Sequence, residues 1–293
     1  LYLATNEKNM EPSLEEELLS LTTPRQEIIY HYTTISALFN GILTENDICL
    51  WATNAQYMND PQDILFGLNL SSKAFCDKDI EKDIDSIKQV FLDNSFITSF
   101  SYKNDFLPMW SMYGANGAGI SLGFKHDLMT TKNQSFFNCL YFSKKEPEKI
   151  VDLLMKIINP LIDNAFLLKK HKKENTSFKD IKSDLLNSGI NLGVSLYRMI
   201  CTICAAKNSA YSYEEEVRLM NLNPTNIKFR KQENIIVPYI EQHFPKDALQ
   251  EIIIGPTNNM EQSESSLRTY LDNLGYKHVT IKRSEVPYRA KVC

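Results

Sequence analysis

Two groups of residues have the types and the spacing to do chemistry. His31 stands with Tyr32 and Thr33 near the end of an apolar run, EIIYHYTT, where a strand gives way to a helix. A neutral imidazole can donate or accept a hydroxyl hydrogen bond, and the free N–H groups of a helix beginning near Thr33 attract a phosphate. Together they suit a nucleotide. The same histidine also suits a purely structural role, satisfying a backbone carbonyl at a strand end. The second group is Glu214, Glu216 and Arg218 in YEEEVRLM. Read as a strand, the segment puts those three on one face and Tyr213, Val217 and Leu219 on the other. Two carboxylates beside an arginine can bind hydroxyls and stabilise a developing positive charge. Arg218 can clamp a pyrophosphate or hold the carboxylates in position, and the second role is preferred. The pattern also fits a solvent-facing strand surface, or a helix with Glu214 and Arg218 paired at i,i+4.

The elements around these residues read as a mixed, α+β chain of mostly antiparallel strands. Thr33 or Thr34 is placed to cap a helix, and the spacing of Ile35, Leu38, Phe39, Ile42 and Leu43 predicts that ISALFNGIL packs on the first strand. DICLWAT is a second strand, and Asn59-Asp60-Pro61 is a turn. Residues 62–94 read as helical. SFITSFS, GISLGF and FFNCLYFS read as strands. Trp110 and Tyr113 lie in a turn or short helix before the glycine-rich corner GANGAG. Residues 146–206 form a helical insertion. Strands return in YSYEEEVRLMN, KFRKQENIIVPYI, LQEIIIGP and HVTIKRS, with a helix over QSESSLRTYLDNLG. SLEEELLSL is a short helix stopped by Pro24, so residues 1–26 read as an extension and 27–293 as one domain.

The 293 residues, 43% hydrophobic and 23% charged, suffice for a substantial core. A net charge of −4 gives no sign of an overall basic, nucleic-acid-binding surface. The run KKHKK at 169–173 reads as a solvated helix end or loop. Cys201 and Cys204 make the one C-x-x-C pair, set in the apolar RMICTICAA. Without a second pair or histidines at ligand spacing, no metal is expected there. The thiols read as buried and reduced. With no signal peptide evident and no apolar run near the roughly 20 residues that span a bilayer, the chain reads as soluble, cytoplasmic and free of membrane contact.

The motifs taken together are more specific than any one of them. His31-Tyr32-Thr33, Asn59-Asp60-Pro61, the SFS of 99–101 and Met109-Trp110 with Tyr113 occur in order. Gly119 through Phe124, Tyr213-Glu214 with Glu216 and Arg218, and Gly255-Pro256 follow. In this the chain resembles the bacterial proteins grouped as domain of unknown function 2971. More distantly, the order of histidine strand, helix and late glutamate strand resembles the ADP-ribosyltransferase fold. That resemblance implies a split sheet, with NAD as co-substrate and no metal. It implies His31 as the ribose-binding residue, with Tyr32 and Thr33 beside it. It makes Glu216 the catalytic carboxylate and Glu214 its accessory. The usual strand tyrosine has no counterpart in GAGISLGF, so Trp110 or Tyr113 would stack on the nicotinamide. The acceptor would be a protein or a nucleic acid. The biological role by analogy is a toxin or an antiviral, phage-defence effector, with an antitoxin or defence-system partner.

The expected function is therefore an NAD-dependent transferase. A different class, a nucleotide-binding or sensor module without turnover, keeps the same cavity. An RNA-directed nuclease or phosphotransferase is disfavoured by the single early histidine and the acidic balance, since such sites gather several basic groups around phosphate.

Overall fold

In the computed structural model, residues 19–58, 66–67, 92–129, 134–142, 204–222, 224–256 and 259–288 are described. The alternation in IIYHYT becomes β1 (Ile28–Thr33), with Ile29, Tyr30 and Tyr32 buried. It zips antiparallel to β4 (Ile120–Lys125) along its whole length, from Ile28 opposite Lys125 to Thr33 opposite Ile120. On its other side β4 carries β11 (Leu249–Ile254), and β11 carries β12 (Thr280–Arg283) in parallel. A parallel pair needs a crossover, and α3 (Met260–Asn273) supplies it. The second wing is β2 (Ile48–Asn54), β10 (Ile235–Phe244) and β9 (Lys228–Gln232), again antiparallel.

Both wings hang on one strand, β3 (Ser95–Ser101), at different ends. β1 meets it only at Tyr30–Ser101, and β2 only at Thr53–Ile97 and Asn54–Phe96. Between these contacts Thr98, Ser99 and Phe100 border a gap. The opposite edge of β3 is fully paired with β8 (Glu216–Leu222), which also pairs β5 (Gln134–Asn138). Among the described residues these ten strands form one sheet, and β6 (Leu140–Phe142) pairs β7 (Ala206–Asn208) in a separate parallel ribbon. The α+β, mostly antiparallel reading is what the structure has. Ile29, Leu50, Phe100, Leu122, Val217 and Ile252 pack in the main core and fasten the wings together.

Four sequence expectations need correction. ISALFNGIL is no continuous helix: α1 covers Ile35–Ala37, a wider π turn follows over Leu38–Ile42, and Gly41 at φ 141° ends it. Leu38 and Leu43 reach the core, while Ile35 and Phe39 are exposed. FFNCLYFS is two strands, because the chain leaves β8 at Cys139, whose N–H donates to Glu216 O at 3.0 Å. KFRKQENIIVPYI is a hairpin, turned at Glu233 in the left-handed region. YSYEEEVRLMN is a strand only from Glu216. Before it, Ser209–Glu214 is a 3-10 turn and Glu215 is left-handed at φ 42°. The expectations for Asn59-Asp60-Pro61, for KKHKK, for Cys201 and for nearly all of the insertion lie outside the described residues. So do most of residues 62–94 and of the first 26. No helix among the described residues is long and apolar enough to cross a membrane.

Candidate active site

The gap over β3 opens into a cavity of about 530 Å³. His31, Tyr32 and Thr33 of β1 line one side of it, and Trp51 and Thr53 of β2 line the other. Thr98, Ser99 and Phe100 of β3 form part of its wall. α2 (Leu107–Met112) contributes Met109 and Met112, and Tyr113 follows it. Lys207, Tyr211, Glu214 and Glu216 line it as well. The imidazole and both carboxylates, nearly two hundred residues apart in sequence, thus share one cavity.

His31 is half-buried, and its Nδ1 lies 2.9 Å from Ser99 O, in the stretch of β3 between the two wings. A carbonyl only accepts, so Nδ1 carries the proton and Nε2 is left as an acceptor in the neutral ring. Burial holds His31 below the ordinary pKa of 6.5, outweighing the carbonyl bond that favours the charged form. The ring also meets Phe100 edge-on, 5.8 Å between centroids. One nitrogen thus satisfies a backbone carbonyl and the other is left to accept from a donor.

The carboxylates meet through a lysine. Lys207 Nζ is 2.5 Å from Glu214 Oε2 and 2.7 Å from Glu216 Oε2, and it sits 5.0 Å from the Tyr211 ring centroid. Glu216 Oε2 also accepts from Arg218 at 2.9 Å and from the Cys139 thiol at 3.4 Å. Glu214 Oε1 accepts from the Tyr113 hydroxyl at 2.8 Å. Two buried anions are thus matched by two buried cations, the arrangement that burial of charge requires. Burial alone would raise the Glu216 pKa; the Arg218 and Lys207 charges and hydrogen bonds overcome it and hold the carboxyl well below its usual range. Burial, and then the Glu214 charge beside it, push the Tyr113 hydroxyl up, so it stays a donor.

The backbone explains how two residues that were expected on one strand converge from different elements. Glu214 ends the 3-10 turn, its carbonyl accepting from Ser101 Oγ at 2.5 Å. Glu215 reverses the chain in the left-handed region, its carboxylate on Lys103 at 2.7 Å. The Glu216 N–H, at the start of β8, donates to Tyr141 Oη of β6 at 2.7 Å.

Of the eight residues picked out by sequence, six line the cavity: His31, Tyr32, Thr33, Tyr113, Glu214 and Glu216. Two do not. Arg218 is fully buried beneath Glu216, with Nη1 donating to Cys204 O at 2.7 Å, so it positions the carboxylate and cannot clamp a pyrophosphate. Trp110 is also fully buried, edge-on to Tyr32 at 4.8 Å with its indole N–H on Asp105, so it is packing and no stacking platform. The expected phosphate site at the helix start is lost as well. Thr34 accepts from Ala37 N and Leu38 N, and so short a helical stretch sums little dipole.

Other cavity residues were missed. Lys207 follows an apolar Ala-Ala pair and carries no motif. Ser99 Oγ has no hydrogen-bond partner among the described residues. Across the gap from His31, the Trp51 ring lies tilted against Tyr239, 4.5 Å between centroids, and Arg230 lies 5.8 Å from the Trp51 ring. Arg230 donates to Thr53 Oγ1 at 3.1 Å and has no carboxylate partner among the described residues. In the sequence Trp51 is one apolar residue among others in DICLWAT, and only the structure shows it exposed.

A family profile described as Protein of unknown function (DUF2971) matches residues 109–219, less than half of the chain, and supports the family resemblance read from the motifs. That span holds Tyr113, Glu214, Glu216 and Arg218. No curated protein and no solved structure matches the chain.

Proposed function

We propose that the chain is an ADP-ribosyltransferase-like enzyme that cleaves NAD⁺ and transfers ADP-ribose to a protein or nucleic-acid acceptor. The observation that carries this reading is the shared cavity of His31, Glu214 and Glu216. The gap over β3, where two wings of one sheet part, is consistent with the split sheet of that fold.

Residue by residue, the chemistry follows. Glu216 has one oxygen saturated by Lys207, Arg218 and Cys139; its other oxygen accepts a ribose 2′-OH. His31 Nε2 accepts a second ribose hydroxyl. Arg230, a cation with no carboxylate on it among the described residues, faces the diphosphate, and Trp51 offers a ring to a base. As the nicotinamide–C1′ bond breaks, its electron pair leaves with the neutral nicotinamide and positive charge develops on the ribose, as in glycoside cleavage. Glu216 stabilises that charge and Tyr113, fixed by Glu214, faces the leaving ring. The acceptor then bonds to C1′ and loses its proton. A carboxylate preorganised in this way is worth about 10²–10³-fold in rate.

The test is incubation of the protein and a cell lysate with NAD⁺ labelled in its adenylate. Label on a macromolecule is expected; the absence of both label transfer and nicotinamide release would sink the proposal. One observation favours a second reading, a nucleotide sensor without turnover: the Lys207 ammonium already bridges both carboxylates. Calorimetric binding of NAD⁺ or ADP-ribose without consumption would select it.

A further inference from the structure

The outer face of the second wing carries a separate group of chemistry-bearing side chains. On antiparallel β2 and β10, His243 stands directly opposite Cys49, and Glu241 opposite Trp51. Strand alternation therefore puts Cys49, Glu241 and His243 on one face, two steps of one ladder. One ligand atom from each lies within 4.8 Å of the others. None of the three lines the cavity.

We propose that Cys49, Glu241 and His243 bind one zinc-class divalent cation, through the Cys49 thiolate, a Glu241 carboxylate oxygen and His243 Nε2, with water in a fourth position. Sulfur, imidazole and carboxylate are the donors zinc takes, and three protein ligands leave one position open. The histidine is already turned for this role. Its Nδ1 lies 2.8 Å from Asp47 Oδ2, so the proton sits on Nδ1 and the lone pair on Nε2, which is 3.8 Å from Glu241 Oε2. A carboxylate holding the far nitrogen is the usual support of a metal-bound imidazole. Asp47 is itself fixed by the Thr44 hydroxyl at 2.8 Å.

The electrostatics point the same way. Cys49 is buried, and the Asp47 and Glu241 carboxylates lie on either side of His243, an arrangement of negative charge that a dication meets. Lys228 Nζ, 2.7 Å from Glu241 Oε2, meets part of it, and being exposed it can swing away. On binding, the metal–sulfur bond forms and the thiol proton passes to solvent, with no change of oxidation state. Linking β2 to β10 this way clips the wing that carries Trp51.

The proposal is tested on the full chain, stripped with a chelator and dialysed against Zn²⁺ or Co²⁺. One equivalent of metal per chain and a cobalt–thiolate charge-transfer band are expected. Cys49→Ser should abolish the band, and Asp47→Asn should weaken binding about 10–100-fold. Should Cys49→Ser fail to fold, His243→Gln, at an exposed position, should also lose the band. Absence of stoichiometric uptake, or a band that persists in Cys49→Ser or His243→Gln, overturns the assignment.

Discussion

At the scale of single residues, the site is a balance of buried charges with one neutral ring facing it. His31 makes a definite prediction. The folded protein holds its imidazole neutral below the ordinary pKa of 6.5, so as pH falls the unfolded chain takes up that proton first. Stability should therefore fall below about pH 6.5. Glu216 acts in a lower window: its depressed pKa gives stability that is full above the ordinary 4.5 and is lost as pH drops beneath it. Urea midpoints of wild type and His31→Gln between pH 7 and 5 should diverge at about one proton's worth of slope; parallel curves would contradict the buried neutral ring. The residue types of this site were legible because His31, Glu214, Glu216 and Arg218 sit in compact motifs. The burial of Trp110 was not, because burial is set by what packs on top. A lysine preceded by two alanines gives no cue that its ammonium will bridge two glutamates.

At the scale of elements, strands with regular alternation were read well. SFITSFS and GISLGF lie where the pattern puts them, and β1 ends at Thr33 as its caps suggest. The failures come from backbone events without a strong residue signature. Glu215 and Glu233 take left-handed conformations that glycine or asparagine would have announced, so a turn and a strand were read as one strand at Glu215, and two strands with their turn as one at Glu233. The corner GANGAG can be tested directly. A Cβ on Gly119 would stand 2.3 Å from Thr33 O and 2.8 Å from Gly114 C and O, all backbone atoms that cannot step aside. Gly119→Ala should cost about 1–3 kcal/mol or more, measured by chemical denaturation, and should weaken NAD⁺ binding by displacing the end of β1 beside His31. Wild-type stability in that variant would show that the corner is looser than the contacts imply.

At the scale of the whole molecule, the sheet does what no local segment can. Its wings attach toward opposite ends of one edge of β3, and the stretch of that edge left unpaired between them becomes a wall of the cavity. Residues from β1, β2, β8 and β9 and from the turns before β8 reach the cavity together. Sequence order alone cannot reveal such a gap, because pairing partners are set by long-range register. The separate group on β2 and β10 escaped notice for the same reason: its cysteine and histidine are neighbours only across a ladder.

The most direct measurement is the rate at which the purified full chain releases nicotinamide from NAD⁺, compared with His31→Ala and Glu216→Gln. Each variant should first be checked for folding by its melting curve, since Glu216→Gln removes the anion between two buried cations and should cost about 3–5 kcal/mol. The account predicts release by the wild type, falling about 10²–10³-fold in Glu216→Gln, with weaker NAD⁺ binding in His31→Ala. No release and no NAD⁺ binding by the wild type, or release unchanged in folded Glu216→Gln, would contradict it.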